Sequence, residues 1–194
     1  MRRRAFATRT FFLSDTPSAF GTDRFTCGVK SGRSVGFMGE LTHVDPMGRA
    51  RMVDVSPKEP SHRRAVARCS VRMLPDTVNK IAANSMAKGD VLAVARVAGI
   101  QAAKQTSALI PLCHPLMISA VAVHFGMGDD RIDVEVEVDC FERTGVEMEA
   151  MTACAVAALT IYDMCKGVDR GIVIEELALW EKTGGKSGVF RRET

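Results

Sequence analysis

Between Ala65 and Met73 apolar Ala65, Ala67, Cys69, Val71 and Met73 alternate with polar Arg68, Ser70 and Arg72, Val66 being the one apolar residue out of step. This period of two predicts a strand buried on one side. Pro75-Asp76 then opens a helix through about Met86, which Lys88-Gly89-Asp90 breaks. Asp90 is suited to cap a second helix, from Val91 to about Leu109, that stops before Pro111. Met117–Phe125 and Arg131–Phe141 read as two strands joined by a hairpin loop at Gly126–Asp130. In the second strand Ile132, Val134, Val136 and Val138 face one way and Asp133, Glu135, Glu137 and Asp139 the other. These acids point in parallel, so they predict a solvated face and not a converging metal site. A long apolar helix from about Gly145 to Lys166 follows, and a last strand spans Gly171–Trp180.

The order strand, two helical segments, strand, strand, helix, strand predicts an α+β fold of the ferredoxin-like split β-α-β kind, an antiparallel sheet with helices on one face. Upstream, Pro46, Gly48, Pro57 and Pro60 make residues 41–62 extended and loop-like, with Met52–Val55 a short strand at most. After Met38 there is neither a linker nor a repeat, so residues 38–194 are expected to form a single catalytic domain. Residues 1–37 lack a core-forming pattern and are read as a disordered or non-native extension, for which a start at Met38 is the natural alternative; a transit peptide is the other reading.

At 194 residues, 46% hydrophobic and 25% charged, the chain can bury one core. Its formal net charge of +3 is concentrated in the basic first 37 residues. The body therefore lacks the footprint of a nucleic-acid binder, and its few aromatics supply no base-stacking platform. Six cysteines without paired short spacing point to a reducing compartment. No run looks long enough for a membrane span. The expected location is the cytoplasm, or the mitochondrial matrix if residues 1–37 target it.

The long helix holds the most informative chemistry. Glu147 and Glu149 stand at its start, and Asp163 and Lys166, three residues apart and so on one face, stand at its end. Gly167 suits a left-handed helix stop, which leaves Asp163 in a last turn whose dipole disfavours an anion. Either Asp163-x-x-Lys166 is a solvated ion pair, or it is part of a site. Cys113-His114 lies in a loop stiffened by Pro111 and Pro115, and leaves a metal site or a cysteine nucleophile open as weakly supported options. Lys182-Thr183-Gly184-Gly185-Lys186-Ser187-Gly188 is not a Walker A motif but offers backbone N–H groups and two lysines to a phosphate. Lys88 precedes a helix N-terminus. Together Lys88, Lys166, Lys182 and Lys186, with acids Asp163, Glu147 and Glu149, suggest a cationic pocket for a phosphorylated substrate undergoing proton transfers, the lysines serving as acid or base if desolvation lowers their pKa.

The segments L-T-H-V-D at 41–45, K-G-D-V at 88–91, A-G-I-Q-A-A-K at 98–104, L-I-P-L-C-H-P-L at 109–116, T-G-V-E-M-E-A at 144–150, A-L-T-I-Y-D-M-C-K at 158–166 and K-T-G-G-K-S-G at 182–188 resemble the cyclic pyranopterin monophosphate synthase family over essentially all of residues 41–190. The resemblance implies a lyase of molybdenum cofactor biosynthesis. Such an enzyme converts (8S)-3′,8-cyclo-7,8-dihydroguanosine 5′-triphosphate into cyclic pyranopterin monophosphate, releases diphosphate, needs no redox cofactor, and acts after a GTP 3′,8-cyclase; no metal is expected either, since no ligand cluster is visible in the sequence. By the same resemblance Asp163, Lys88 and Lys166 are catalytic. Leu112, Cys113, His114, Glu147, Met148, Glu149, Lys182 and Arg63 bind substrate, with Arg64 competing for the last place. The family's homohexamer, a trimer of dimers, implies sites shared between subunits, and Lys88 with Asp163 is the first pair to test for such sharing. The Ala-rich stretch 150–159 suits close helix packing in that assembly.

Overall fold

Alternation of buried and exposed side chains builds an antiparallel sheet whose central strand β1, Ser61–Arg72, pairs with β3, Arg131–Glu142, on one side and with β4, Val173–Thr183, on the other. A computed structural model describes residues 47–193, and the expectations for residues 1–46 fall outside the described residues. Strand β2, Ile118–Met127, lies outside β3, and the two-residue β5, Phe190–Arg191, closes the far edge beside β4, giving the order β2-β3-β1-β4-β5. Strand β3 thus lies between β1 and β2, as a split β-α-β unit requires, and the expected α+β class with an antiparallel sheet holds.

The helices are α1, Pro75–Ala82; α2, Val91–Lys104; the single turn α3, Thr106–Leu109; and α4, Glu147–Cys165. Asp90 caps α2 as expected, its side chain accepting from the Ala93 N–H at 2.9 Å. Two helices end sooner than their apolar pattern suggests. Asn84 takes a left-handed φ of 51° after α1. Gln105 interrupts α2, where the Thr106 hydroxyl donates to the Ala102 carbonyl and competes with the helical ladder. Residues 52–55 form no strand.

The core lies between the sheet and α4. Ala65, Ala67, Cys69 and Val71 of β1 and Ile132, Val134, Val136, Val138 and Cys140 of β3 meet Ala150, Ala153, Cys154, Ala157, Ala158 and Ile161 of α4. Helix α4, nineteen residues long and largely apolar, is long enough to be mistaken for a membrane span, which revises the expectation that no run reaches that length; its inner side packs on the sheet. Ala150, Ala153, Ala157 and Ala158 of this helix are buried within the chain itself. A Cβ on Gly99 of α2 would stand 3.1 Å from the Ala153 carbonyl and 3.4 Å from the Ala157 Cβ, so glycine facing alanine brings the two helices together. On the opposite face of the sheet the acids of β3 are not merely solvated. Arg64 pairs with Glu137 and Asp139, Arg68 with Glu135, and the Ser70 hydroxyl donates to Asp133, so each acid meets a polar partner on β1.

Candidate active site

The last turn of α4 carries the first group of functional side chains. Asp163 Oδ1 accepts from Lys166 Nζ at 2.7 Å, and its Oδ2 accepts from Lys88 Nζ at 2.8 Å. Lys88 Nζ also donates to the Asp163 carbonyl at 2.8 Å, filling one of the acceptors that a helix C-terminus leaves open. Two ammonium groups therefore offset the unfavourable dipole at this carboxylate. Lys88 reaches it from the connection between α1 and α2, where Gly89 turns with a φ of 89° into the Asp90 cap. Gly167 does not take the expected left-handed conformation; Lys166 ends the helix in right-handed geometry, and the Val168 and Asp169 N–H groups both donate to the Cys165 carbonyl.

Hydrogen bonding to Lys166, then to Lys88, holds the Asp163 carboxyl down at about 2. The same bond raises Lys166 above the ordinary lysine value. This reverses the expectation of a lysine depressed by burial, because Lys166 and Asp163 keep about half of their side-chain surface in water, 52% and 55%. In one chain this cluster stores a proton on Lys166 rather than releasing it.

A second group gathers at the other end of α4. Glu147, Met148 and Glu149 in its first turn and Leu112, Cys113 and His114 from the proline-bounded loop line a cleft of about 240 Å³. Glu149 is only 3% exposed, and burial raises its carboxyl above the ordinary range. Burial also raises the Cys113 thiol, with the Glu149 charge acting in the same direction, which disfavours the thiolate that a cysteine nucleophile needs. Lys58, Thr144, Gly145 and Glu147 are shared with a larger cavity of about 1030 Å³, which Arg63, Arg143, Lys182, Lys186 and Ser187 also line.

Strand alternation separates Arg63 from Arg64. The Arg63 guanidinium donates to the carbonyls of Glu142 and Arg143 at 3.2 and 3.4 Å on the cavity side, whereas Arg64 faces the acids of β3. Gly184 and Gly185, with φ of 92° and 75°, fold the chain after β4 over this arginine; a Cβ on Gly185 would run into the Arg63 guanidinium and one on Gly184 into the His62 carbonyl. The loop then brings Ser187 back to the Lys182 ammonium. Lys58 and Arg143 were invisible to the sequence reading, since a single cation in an irregular segment has no spacing to betray it. The Arg143 guanidinium donates to the Ser56 carbonyl at 3.1 Å and so fastens the proline-rich segment to the cavity rim.

The four lysines and three acids do not make one pocket in one chain. Sixteen residues of helix separate Glu147 from Asp163, about 24 Å at the α-helical rise. Lys182, Lys186, Glu147 and Glu149 stand at one pole of α4, and Lys88, Asp163 and Lys166 at the other. Residues 52–185, spanning both poles, match the MoaC family. The chain belongs to the MoaC family. Three curated relatives carry the name cyclic pyranopterin monophosphate synthase. The protein of Thermomicrobium roseum is 56% identical over 158 residues, covering 80% of this chain and 95% of the relative. That of a Thermoanaerobacter species is 54% identical over 155 residues, covering 79% and 98%. That of Desulfitobacterium hafniense is 57% identical over 155 residues, covering 79% and 95%.

Proposed function

We infer that this chain is a cyclic pyranopterin monophosphate synthase, a lyase of molybdenum cofactor biosynthesis that converts the 3′,8-cyclised dihydro-GTP into cyclic pyranopterin monophosphate and diphosphate. Its MoaC membership, at more than half identity to relatives of that name, carries the reading. The chemistry of the two poles agrees with it. A cavity with Lys58, Arg63, Arg143, Lys182 and Lys186 along its walls suits a triphosphate, whose departing diphosphate cations stabilise. The adjoining cleft, with His114 and the buried Glu149, offers hydrogen-bonding groups to a pterin. Lys166, Asp163 and Lys88 supply the proton transfers, Asp163 orienting both ammonium groups.

A single substrate cannot touch both poles of one helix across about 24 Å. The complete site therefore lies between two copies, the phosphate pole of one facing the lysine pole of its neighbour, and the assembly is the homohexamer of paired chains. There the neighbour removes water from Lys166 and lowers its pKa toward the working range. Residues 38–194 form the catalytic body of a ferredoxin-like subunit in the cytoplasm, and residues 1–37 are an extension that catalysis does not use. Its substrate comes from a GTP 3′,8-cyclase, and no metal or redox cofactor takes part. A coupled assay with such a cyclase tests the reading: release of diphosphate together with a pterin product is expected, also after exhaustive chelation of the purified synthase. Return of the cyclised nucleotide unchanged would make the protein a binding module instead.

A further inference from the structure

Asp169 lies three residues beyond Lys166 and is 5% exposed, yet among the described residues it joins none of the ion pairs. Its Oδ2 accepts from the Leu74 N–H at 2.8 Å and from the Thr77 hydroxyl at 3.2 Å, and its Oδ1 accepts from the Gly171 N–H at 2.9 Å. Its own N–H donates to the Cys165 carbonyl at 3.0 Å. One carboxylate thus ties together the exit of α4, the entrance of α1 and the approach to β4.

Two observations give this bridge more than a packing role. Leu74 occupies the cap position of α1 and offers no side-chain cap, so Asp169 brings an anion from elsewhere in the chain to a helix end that favours one. Moreover, both segments it joins carry members of the lysine cluster. The turn of α4 just before it holds Asp163 and Lys166, and the chain leaving α1 runs through Asn84 and the buried Met86 to set Lys88 on Asp163. We propose that Asp169 is a positioning residue that holds the two lysine-bearing segments at the separation where Asp163 bridges Lys88 and Lys166. The geometry stands on its own; only the consequence for turnover rests on the proposed function.

Amine reactivity reads the positioning directly. Under trace acetylation at mildly alkaline pH, labelling of Lys88 and Lys166 is scored by peptide mass against the exposed Lys104 in the same molecule. Asp169→Asn places an amide where at least one N–H donor now points, and labelling of both lysines is expected to rise about threefold, the scale of a loosened exposed ion pair. Thr77→Val removes one bond and leaves the charge, so a smaller rise in the same direction is expected. Val136→Ala, which weakens the core beneath β3 without touching the bridge, should leave the ratio unchanged. Unchanged labelling in folded Asp169→Asn, or an equal rise in Val136→Ala, would overturn the proposal; if Asp169→Asn does not fold, unchanged labelling in Thr77→Val overturns it. None of these readings requires the cyclised substrate, so failure of the proposed function would appear separately, as absent turnover in a chain whose labelling pattern still follows Asp169.

Discussion

Asp163 sits between two ammonium groups, and its charge accounts for their placement. Asp163→Asn keeps the shape and removes that charge; turnover of the cyclised substrate is expected to fall about a hundredfold or more while the fold survives. Lys166→Arg should fail similarly, because a guanidinium does not give up a proton near neutral pH. Near-normal turnover in both variants would reduce the cluster to a solvated ion pair. The stability difference between wild type and Asp163→Asn should depend on pH in a definite way. The carboxyl is depressed from 3.8 to about 2 on folding, so its contribution is present above 3.8 and is lost as pH falls through about 2. In a single chain Lys166 is raised from 10.5, so there its contribution is complete below 10.5 and is lost as pH rises through the higher folded value, whereas burial against a neighbour in the proposed assembly moves this upper limit down. Thermal melts across that range should show a plateau between the two limits. The pairing of Asp163 with Lys166 was legible because both lie on one face of one helix. Lys88 was legible as a cation just before a helix N-terminus, but its contact with Asp163 was not, since the two lie 75 residues apart in sequence.

The connection after β4 shows how an element can serve a site through what it lacks. Gly185 has no Cβ to push Arg63 aside and adopts a φ that a side chain resists. Gly185→Ala is expected to cost about 1–3 kcal/mol of stability and to raise KM for the triphosphate more than it lowers kcat, because the displaced group lies on the phosphate side. A change confined to kcat would separate Arg63 from substrate binding. Along the rest of the chain, period-two and apolar runs located β1 to β4, α1, α2 and α4, because each turns apolar residues toward the core, β4 only in part through Ile174 and Leu179. Their ends were less legible, being decided by competing local bonds such as that of Thr106. Strand β5 had no signal of its own, since two residues form a strand only where β4 provides an edge.

For the whole molecule, the decisive fact is that the expected active-site residues divide between two poles of α4. Because Lys88 and Asp163 already pair within one chain, mixing Lys88→Ala with Asp163→Ala chains should not restore activity. The informative mixture is Lys166→Ala with Arg63→Ala, one lesion at each pole. Random exchange between copies should return about a quarter of wild-type activity, since half of the pairs are mixed and each mixed pair carries one intact site of two. Proven exchange without recovery would place both poles in one site of one chain, against the geometry of the helix. The sequence listed the right kinds of residue for such a site but could not sort them by pole, because membership depends on which connection returns to which end of α4.

That division turns α4 into a spacer whose residue number matters as much as its composition. One residue inserted between Ala150 and Ala158 would swing Asp163 about 100° around the axis and move it about 1.5 Å along, away from Lys88, while Glu149 stayed in place. Outward-facing positions such as Leu159, exposed in the single chain, can change in size without disturbing this spacing, but the count between the poles cannot change. Length differences among proteins of this architecture should therefore gather in the connections and be absent from this helix, which works as a ruler with a chemical group at each end.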